Sequence, residues 1–599
     1  MRLALVSMPW AIFNRPSIQL GALQAWLRVH DPAVQTVSLH PYLEVAKRLG
    51  PETYAIISED GWAGEALYAP LLFPEMRESA ARVFRDSLGR EKARGLPPFA
   101  ALVEELDDQL DRWLDRTDFS RTDLAGFSVC FGQLPATLLA ARRLKARHPG
   151  LRVVLGGSTC VPPIGETLLN VFPEIDYIVT GEGELPLAGL CRYLRGETTD
   201  PGPGVLHRGR SSRSAGPEIP DLDTLPPPDY DDYFAELGRC GFTFIPQVPL
   251  EFSRGCWWNR CAFCNLNLQW CGYRSKKSRT VLAEVEQMRS SYRVLDFAFT
   301  DNALPPGEAD RFFTSVAGQG RDLRFFAEIR TINRPDHYCV YRRGGLTSVQ
   351  VGIESFSSSL LRKMDKGTNV LDNLAAMKFS AEAGIRLDGN LILEFPGSTE
   401  EEARETMRVI DFALPYRPLF GAAFFLGHGS PVWRDPSRFG IRGVRHHPRN
   451  RALYPRSVLK RLDLLIRQGV GDRQVQRRIW APVRNKIEWW RAFHEKRSAT
   501  GPPLGFRDGG DFLIIRQERP EKPTLHHRLA GLSRAIYLAC STPVTIQSLL
   551  RTFDSVTEER LIRFLDDLEE KKLLFREGGR CLALAVHNRN NLEEPGTQP

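Results

Sequence analysis

Three cysteines, Cys256, Cys261 and Cys264, fall within nine positions in the stretch SRGCWWNRCAFCNLN. Six others, Cys130, Cys160, Cys191, Cys339, Cys540 and Cys581, stand singly in apolar segments and read as small buried hydrophobes. A tight cluster in a chain of ordinary cytoplasmic composition points to metal chemistry rather than to disulfides. A structural zinc site uses four ligands. No histidine stands near the triad, and Cys271 lies seven residues past Cys264. A cubane iron–sulfur cluster also takes four iron ligands. Three from the protein leave one iron open to a substrate or cofactor, and that open corner is the chemistry the number three allows. Zinc is the alternative; the position of the triad in the fold favours the cluster.

That position follows from the elements around it. From residue 245 to 435, strand patterns (VPLEFSR, LDFAFT, LRFFAEI, LTSVQVGIE, IRLDGNLILEF, LFGAAFFLG) alternate with helical ones. Six βα units predict a partial (βα)6 barrel, with its active site at the carboxyl ends of the strands. The cysteines directly follow the first strand. Residues 1–215 show a second βα alternation with fully apolar strands, which predicts a doubly wound, Rossmann-like parallel sheet. Glycines 156, 157, 181 and 183 fall at its strand ends, where such sheets bind ligands. The fold class is therefore α/β.

Residues 216–244 read as a Pro- and Asp-rich linker. Residues 436–509 read as a basic, Trp-containing helical segment with its aromatics turned inward. Residues 510–599 read as an α+β domain with a winged-helix-like end, whose plain alternative is a structural cap. The helix pattern EERLIRFLDDLEEKKL is too acidic for a DNA-recognition helix, and a net charge of +8 over 599 residues is mild, so no nucleic-acid partner is expected. No apolar run approaches the roughly 20 residues that span a bilayer. A cytoplasmic protein with no membrane partner is the default.

The triad, with Phe263 just before its third cysteine, resembles the radical S-adenosylmethionine (SAM) superfamily. The segments VSMPW, RPSIQLG, LGGSTC, DYIVTGEGE, PPPDY, RGCWW, YRSK, QVGIES, LLRKMDKG and NLILEFPG together resemble one subgroup. This is the cobalamin-dependent radical SAM C-methyltransferases that mature ribosomally made peptides, the family of the polytheonamide and bottromycin methylases. The likeness is strongest over residues 1–440. It implies a [4Fe-4S] cluster, SAM and cobalamin, with methylcobalamin as methyl donor and a 5′-deoxyadenosyl radical abstracting hydrogen from an unactivated carbon. It also implies a precursor-peptide substrate touching the C-terminal region, and an electron donor such as a flavodoxin or ferredoxin. A small molecule or free amino acid, reached by polar methyl transfer, and a non-catalytic cobalamin-binding scaffold are the alternatives.

Carried over by position, the resemblance makes Cys256, Cys261 and Cys264 the cluster ligands and lays Phe263 against adenine. Asp301 and Asn302 fall at the methionine amino group. Glu328, Glu354 and Ser355 reach the carboxylate or ribose of SAM, Asn390 flanks the adenine, and Arg274 pairs with the SAM carboxylate. For each carboxylate a salt bridge at the barrel rim is the plain alternative. Ser128, Gly156, Gly157, Ser158, Thr180, Gly181 and Glu182 would meet the nucleotide tail of cobalamin. Pro9 and Trp10 would approach the corrin face, although Trp10 fits a core position as well. The four-residue gap between Cys256 and Cys261 departs from the spacing of both superfamily and subgroup. The first domain lacks the Asp-x-His-x-x-Gly motif that ligates cobalt from below, which leaves Gln133 near the lower face.

Overall fold

The computed structural model describes residues 1–209, 216–499 and 501–587. The expected end of the first domain at 210–215 and the last residues of the C-terminal domain, 588–599, lie outside the described residues. The first domain is a six-stranded sheet: β1 Arg2–Ser7, β2 Gln35–Leu39, β3 Leu124–Ser128, β4 Arg152–Gly156, β5 Tyr177–Val179 and β6 Val205–His207. Its order is β2-β1-β3-β4-β5-β6, parallel except for the antiparallel edge strand β6. This is a doubly wound order whose direction reverses between β1 and β3. The inner strands are apolar throughout because helices cover both faces.

Between β2 and β3 the chain inserts five α-helices spanning residues 41–116. One of them, Gly61–Leu72, is buried nearly all round, as an apolar helix inside a layered domain must be. It runs beside the helix Leu134–Arg147 and presses Gly64 against Trp10.

The second unit is an open barrel of parallel strands: Val248–Leu250, Asp296–Phe299, Arg324–Ile329, Leu346–Val351, Arg386–Asp388 continuing as Asn390–Leu393, and Phe420–Ala423. A bridge between Glu354 and Leu391 joins the last two strands to the first four. The helix Glu400–Ala413 starts on a capping box of Thr399 and Glu402, which satisfies two otherwise orphaned amides.

Residues 436–509 are not wholly helical: they hold the antiparallel strands Gly443–His446 and Ile466–Val470 and, at their end, the strand Leu504–Asp508. The long helix Arg473–Glu495 turns Trp480 and Trp490 inward. Trp480 Nε1 donates to Ser398 Oγ at 2.8 Å and Trp490 Nε1 to Tyr416 O at 3.1 Å. Beyond it lie a four-stranded sheet and three helices with a three-stranded wing turning at Gly578 and Gly579. The wing is docked on the barrel: the Glu577 carboxylate accepts from Leu371 N at 2.8 Å, and Lys378 Nζ donates to Ser541 O at 2.7 Å. Among the described residues no helix is long and apolar enough to cross a membrane.

Candidate active site

The cysteine loop leaves the first barrel strand at Gly255. The φ of +83° and a backbone that a Cβ would meet 2.6 Å from Gly272 O restrict that position to glycine. The loop is then pinned from two sides. Ala262 N donates to Met364 O at 2.8 Å, and Val432 N donates to Ala262 O at 3.0 Å. Trp258 Nε1 donates to Asp365 O at 2.8 Å, and its ring lies against Gly367. The LLRKMDKG segment after the fourth strand is thus the floor of the cysteine loop.

The three thiols are neighbours. Burial pushes Cys264 up to about 11, and the charges of Cys261 and Cys256 add to that rise. Burial also raises Cys261, against Lys366 and Arg330, which lower it. A bound metal would supply the positive charge that turns such buried thiols into thiolates. Among the described residues no three His, Cys, Asp or Glu side chains converge on one metal ion. A cubane cluster, in which each thiolate binds a different iron, needs no such convergence, so the donor set fits the cluster better than zinc.

The strand ends facing this loop hold the expected carboxylates in unequal settings. Asp301 is buried, accepts from Phe252 N at 3.0 Å and from the Ser253 hydroxyl, and is pushed up to about 7 by burial. Beside it, the Asn302 Nδ2 is buried without a partner. Glu328 has no ion-pair or hydrogen-bond partner for its carboxylate among the described residues. Burial first, and the nearby charge of Glu354 second, raise it to about 7. Glu354 sits at φ +60° and accepts from Lys366 Nζ at 3.0 Å. Lys366 Nζ is also 5.9 Å from the ring centre of Phe263. Ser355 is buried, and its Oγ accepts from Ser357 N at 3.0 Å, which turns it toward its own loop. Asn390 starts its strand four residues before Glu394, below the rim where an adenine-flanking residue was expected, and its side chain is exposed.

A cavity of about 270 Å³ opens between the carboxyl edge of the first sheet and the barrel. Ser128, Gly156, Gly157, Ser158 and Gly181 line one wall, and Ser253, Trp270 and Thr300 the other. Gly157 has φ +100°. Thr180 does not face the cavity; it is buried and its hydroxyl donates to Gly204 O at 3.3 Å.

Four expected ligand contacts are otherwise engaged. Arg274 donates to Ile219 O and pairs with Glu182 at 2.5 Å and Glu218 at 3.3 Å, so its guanidinium is committed to the domain junction rather than to a SAM carboxylate. Glu182 is neutralised by Arg274 and by Arg254 at 2.9 Å. Arg254 also holds Glu184 at 2.6 Å and Glu251 at 2.8 Å. This buried network clamps the two domains along the cavity floor. Gln133 spends both ends inside its domain: Cys130 N donates to its Oε1 at 3.0 Å, and its Nε2 donates to Met8 O. It offers nothing to a corrin. Trp10 takes its core option, donating to Gly64 O at 3.0 Å and packing 5.0 Å from Tyr54, with Pro9 preceding it.

Sequence reasoning missed Arg330, the residue after the third strand, whose guanidinium lies over both tryptophans of the cysteine loop. It also missed a small cavity of about 50 Å³ past the fifth and sixth strands, lined by Glu394, Phe424, His447, Arg467 and Arg473. There Arg467 Nε is buried without a partner. Neither carries a local signal: Arg330, in AEIRTIN, and Arg467, in LLIRQGV, are single arginines, which sequence alone cannot separate from solvated ones.

Residues 250–410 match the family model of the radical SAM superfamily. The chain is 27% identical over 305 residues to an uncharacterized methyltransferase of Pyrococcus horikoshii, covering 48% of this chain and 63% of that protein. It is 26% identical over 335 residues to the anaerobic magnesium-protoporphyrin IX monomethyl ester cyclase of Rubrivivax gelatinosus, covering 52% and 57% respectively. The matches thus span somewhat less than two thirds of these relatives' length. Among solved structures, the cobalamin-dependent SAM radical enzyme OxsB superposes with a TM-score of 0.51 at 16% identity, over 73% of this chain and 56% of that one. The radical SAM methyltransferase TsrM of Kitasatospora setae superposes at 0.53 and 14% identity, over 82% and 89%. Residues 250–410 are thus a radical SAM domain, in a chain whose overall fold is that of OxsB and TsrM.

Proposed function

We propose that the protein is a cobalamin-dependent radical SAM methyltransferase that places a methyl group on an unactivated carbon of a ribosomally made peptide. One observation carries this reading: the glycine-lined edge of a doubly wound sheet faces, across a single cleft, Ser253 and Arg254 on one flank of the three-cysteine loop and Gln269 and Trp270 on the other. Cys256, Cys261 and Cys264 would hold a [4Fe-4S] cluster whose open iron takes SAM, and Ser128, Gly156, Gly157, Ser158 and Gly181 would hold cobalamin. When bound, these groups supply a carbon-centred radical and a transferable methyl group.

The chain's own residues have positioning roles in this reading. Glu328, a partly buried carboxylate without a cation, offers charge to the ammonium of SAM. The unpartnered Asn302 Nδ2 offers a donor to a ligand acceptor. The Arg254 network keeps the two halves of the cleft in register. Partners would be the precursor peptide, contacting the C-terminal region, and a flavodoxin or ferredoxin as reductant. A second reading, a free amino acid or other small molecule, draws on the TsrM structure, which has a tryptophan substrate. It draws also on the small cavity beside Arg467 and Arg473, which suits a carboxylate.

The test uses anaerobically reconstituted protein with SAM and a low-potential reductant. The reading expects about four irons per chain, bound cobalamin, and both S-adenosylhomocysteine and 5′-deoxyadenosine by mass spectrometry. S-adenosylhomocysteine alone would replace it with polar methyl transfer. Neither product, with no iron bound, would overturn it.

A further inference from the structure

The four-residue gap between Cys256 and Cys261 holds Trp257, Trp258, Asn259 and Arg260. Arg330, which directly follows the third barrel strand, stacks its guanidinium 5.2 Å from the Trp257 ring centre and 4.7 Å from that of Trp258. Its Nη2 donates to Lys366 O, in the segment that floors the loop. Its Nη1 points at Cys261 Sγ at 4.0 Å. One side chain therefore touches both tryptophans, the loop floor and a thiol sulfur. No carboxylate pairs with Arg330 among the described residues. An arginine is suited to this place because its planar, permanently charged group stacks on rings while its edges donate hydrogen bonds.

We propose that Arg330 is a positioning residue for the iron–sulfur cluster: it locks the widened loop between Cys256 and Cys261 and sets the cluster's reduction potential through its charge beside Cys261. This rests on the reading that the triad holds a [4Fe-4S] cluster. Cluster potentials respond to net charge and to hydrogen bonds on the sulfurs. Reduction adds an electron to an already anionic assembly, so a nearby fixed cation favours the reduced form. Arg330 is a better candidate for this role than Lys366, whose ammonium is already paired with Glu354.

The experiment compares wild type with Arg330→Gln, Arg330→Lys and Trp258→Phe, all reconstituted anaerobically. Two quantities are read without turnover: the midpoint potential from a spectroscopic redox titration, and the rate at which a chelator strips iron. Arg330→Gln should be at least tenfold harder to reduce, a fall of 59 mV for one electron, and should lose iron several-fold faster. Arg330→Lys keeps the charge but not the flat stack, so it should recover most of the potential while still losing iron faster. Trp258→Phe, which loses the hydrogen bond to Asp365, should lose iron faster at an unchanged potential. A Gln variant with wild-type potential and wild-type iron retention overturns the proposal. So does a Lys variant whose potential falls as far as that of Gln, because the charge would then be irrelevant. If Arg330→Gln does not fold, by circular dichroism, the Lys and Phe variants carry the decision. If wild type itself takes up no iron, the failure lies with the cluster reading and not with Arg330.

Discussion

Gly157 gives the sharpest test of how the cleft is built. It follows β4, with φ +100° and ψ near 180°, a region that only glycine occupies without strain. A Cβ built there would lie 2.8 Å from Val129 O and 2.9 Å from Val129 N. Both atoms are backbone, and both are engaged: Val129 N donates to Gly156 O at 2.8 Å, and Thr159 N to Val129 O at 3.1 Å. Gly157→Ala must therefore move the end of β3 away from the end of β4. The backbone strain costs about 1–3 kcal/mol, and forcing a methyl into a filled site adds about 1–3 kcal/mol. The adjacent Gly156 is the control. Its Cβ would meet Val179 at 3.6 Å, ordinary contact, so Gly156→Ala should change stability by about 1 kcal/mol or less. The assays are a denaturation midpoint and the iron and cobalamin content of each purified variant. Gly157→Ala should unfold earlier and retain less than a tenth of the wild-type cobalamin, with its iron content unchanged. Equal behaviour of the two variants, or wild-type stability in Gly157→Ala, would refute the reasoning, because backbone crowding would then not be what fixes the loop.

Three further outcomes follow from the electrostatics. With Glu328 raised to about 7, its charge appears as pH rises through neutrality. SAM should then bind up to about tenfold more tightly at pH 8 than at pH 6, a difference that equilibrium dialysis should find abolished in Glu328→Gln. Asp301 is lifted from 3.8 to about 7 by burial, so the folded state holds its proton more firmly than the unfolded chain does. The resulting stabilisation is complete below pH 3.8 and lost as pH rises through 7. Asp301→Asn should therefore gain on wild type by about 4 kcal/mol between acid and pH 8, readable as a converging and crossing pair of denaturation midpoints; a constant gap would contradict it. Arg254→Met leaves Glu182, Glu184 and Glu251 without their shared cation, at a cost of about 3–5 kcal/mol. Limited proteolysis of the 216–244 segment should accelerate, and adding Glu184→Gln should restore part of the protection.

Much of the fold was legible because burial on both faces writes itself as unbroken apolar runs. β1 and β3 read clearly for that reason, as did the βα rhythm of the barrel, and from the barrel the place of the cysteine loop. The five-helix insert after β2 was not legible. β2 is an edge strand with half-exposed residues, so QTVSL has no apolar run to announce it. Without that strand, the helices behind it cannot be placed in the βα rhythm.

The site divided along a different line. A carboxylate or arginine at a strand end looks the same in sequence whether it faces a ligand or a partner side chain. Glu182 and Arg274 are separated by 92 residues, and no local pattern predicts their pairing. What separates ligand-facing from structural carboxylates is the number of cations that each already holds. Glu182 holds two arginines, Glu354 holds one lysine, and Glu328 holds none among the described residues. A buried carboxylate without a cation costs several kcal/mol to keep charged, and Glu328 is raised in the absence of a ligand for that reason. A bound ammonium would relieve that cost, whereas at Glu182 it would have to displace an arginine. The three acids therefore rank Glu328, Glu354, Glu182 as SAM-binding candidates, an order set by three-dimensional charge balance and by nothing within ten residues of any of them.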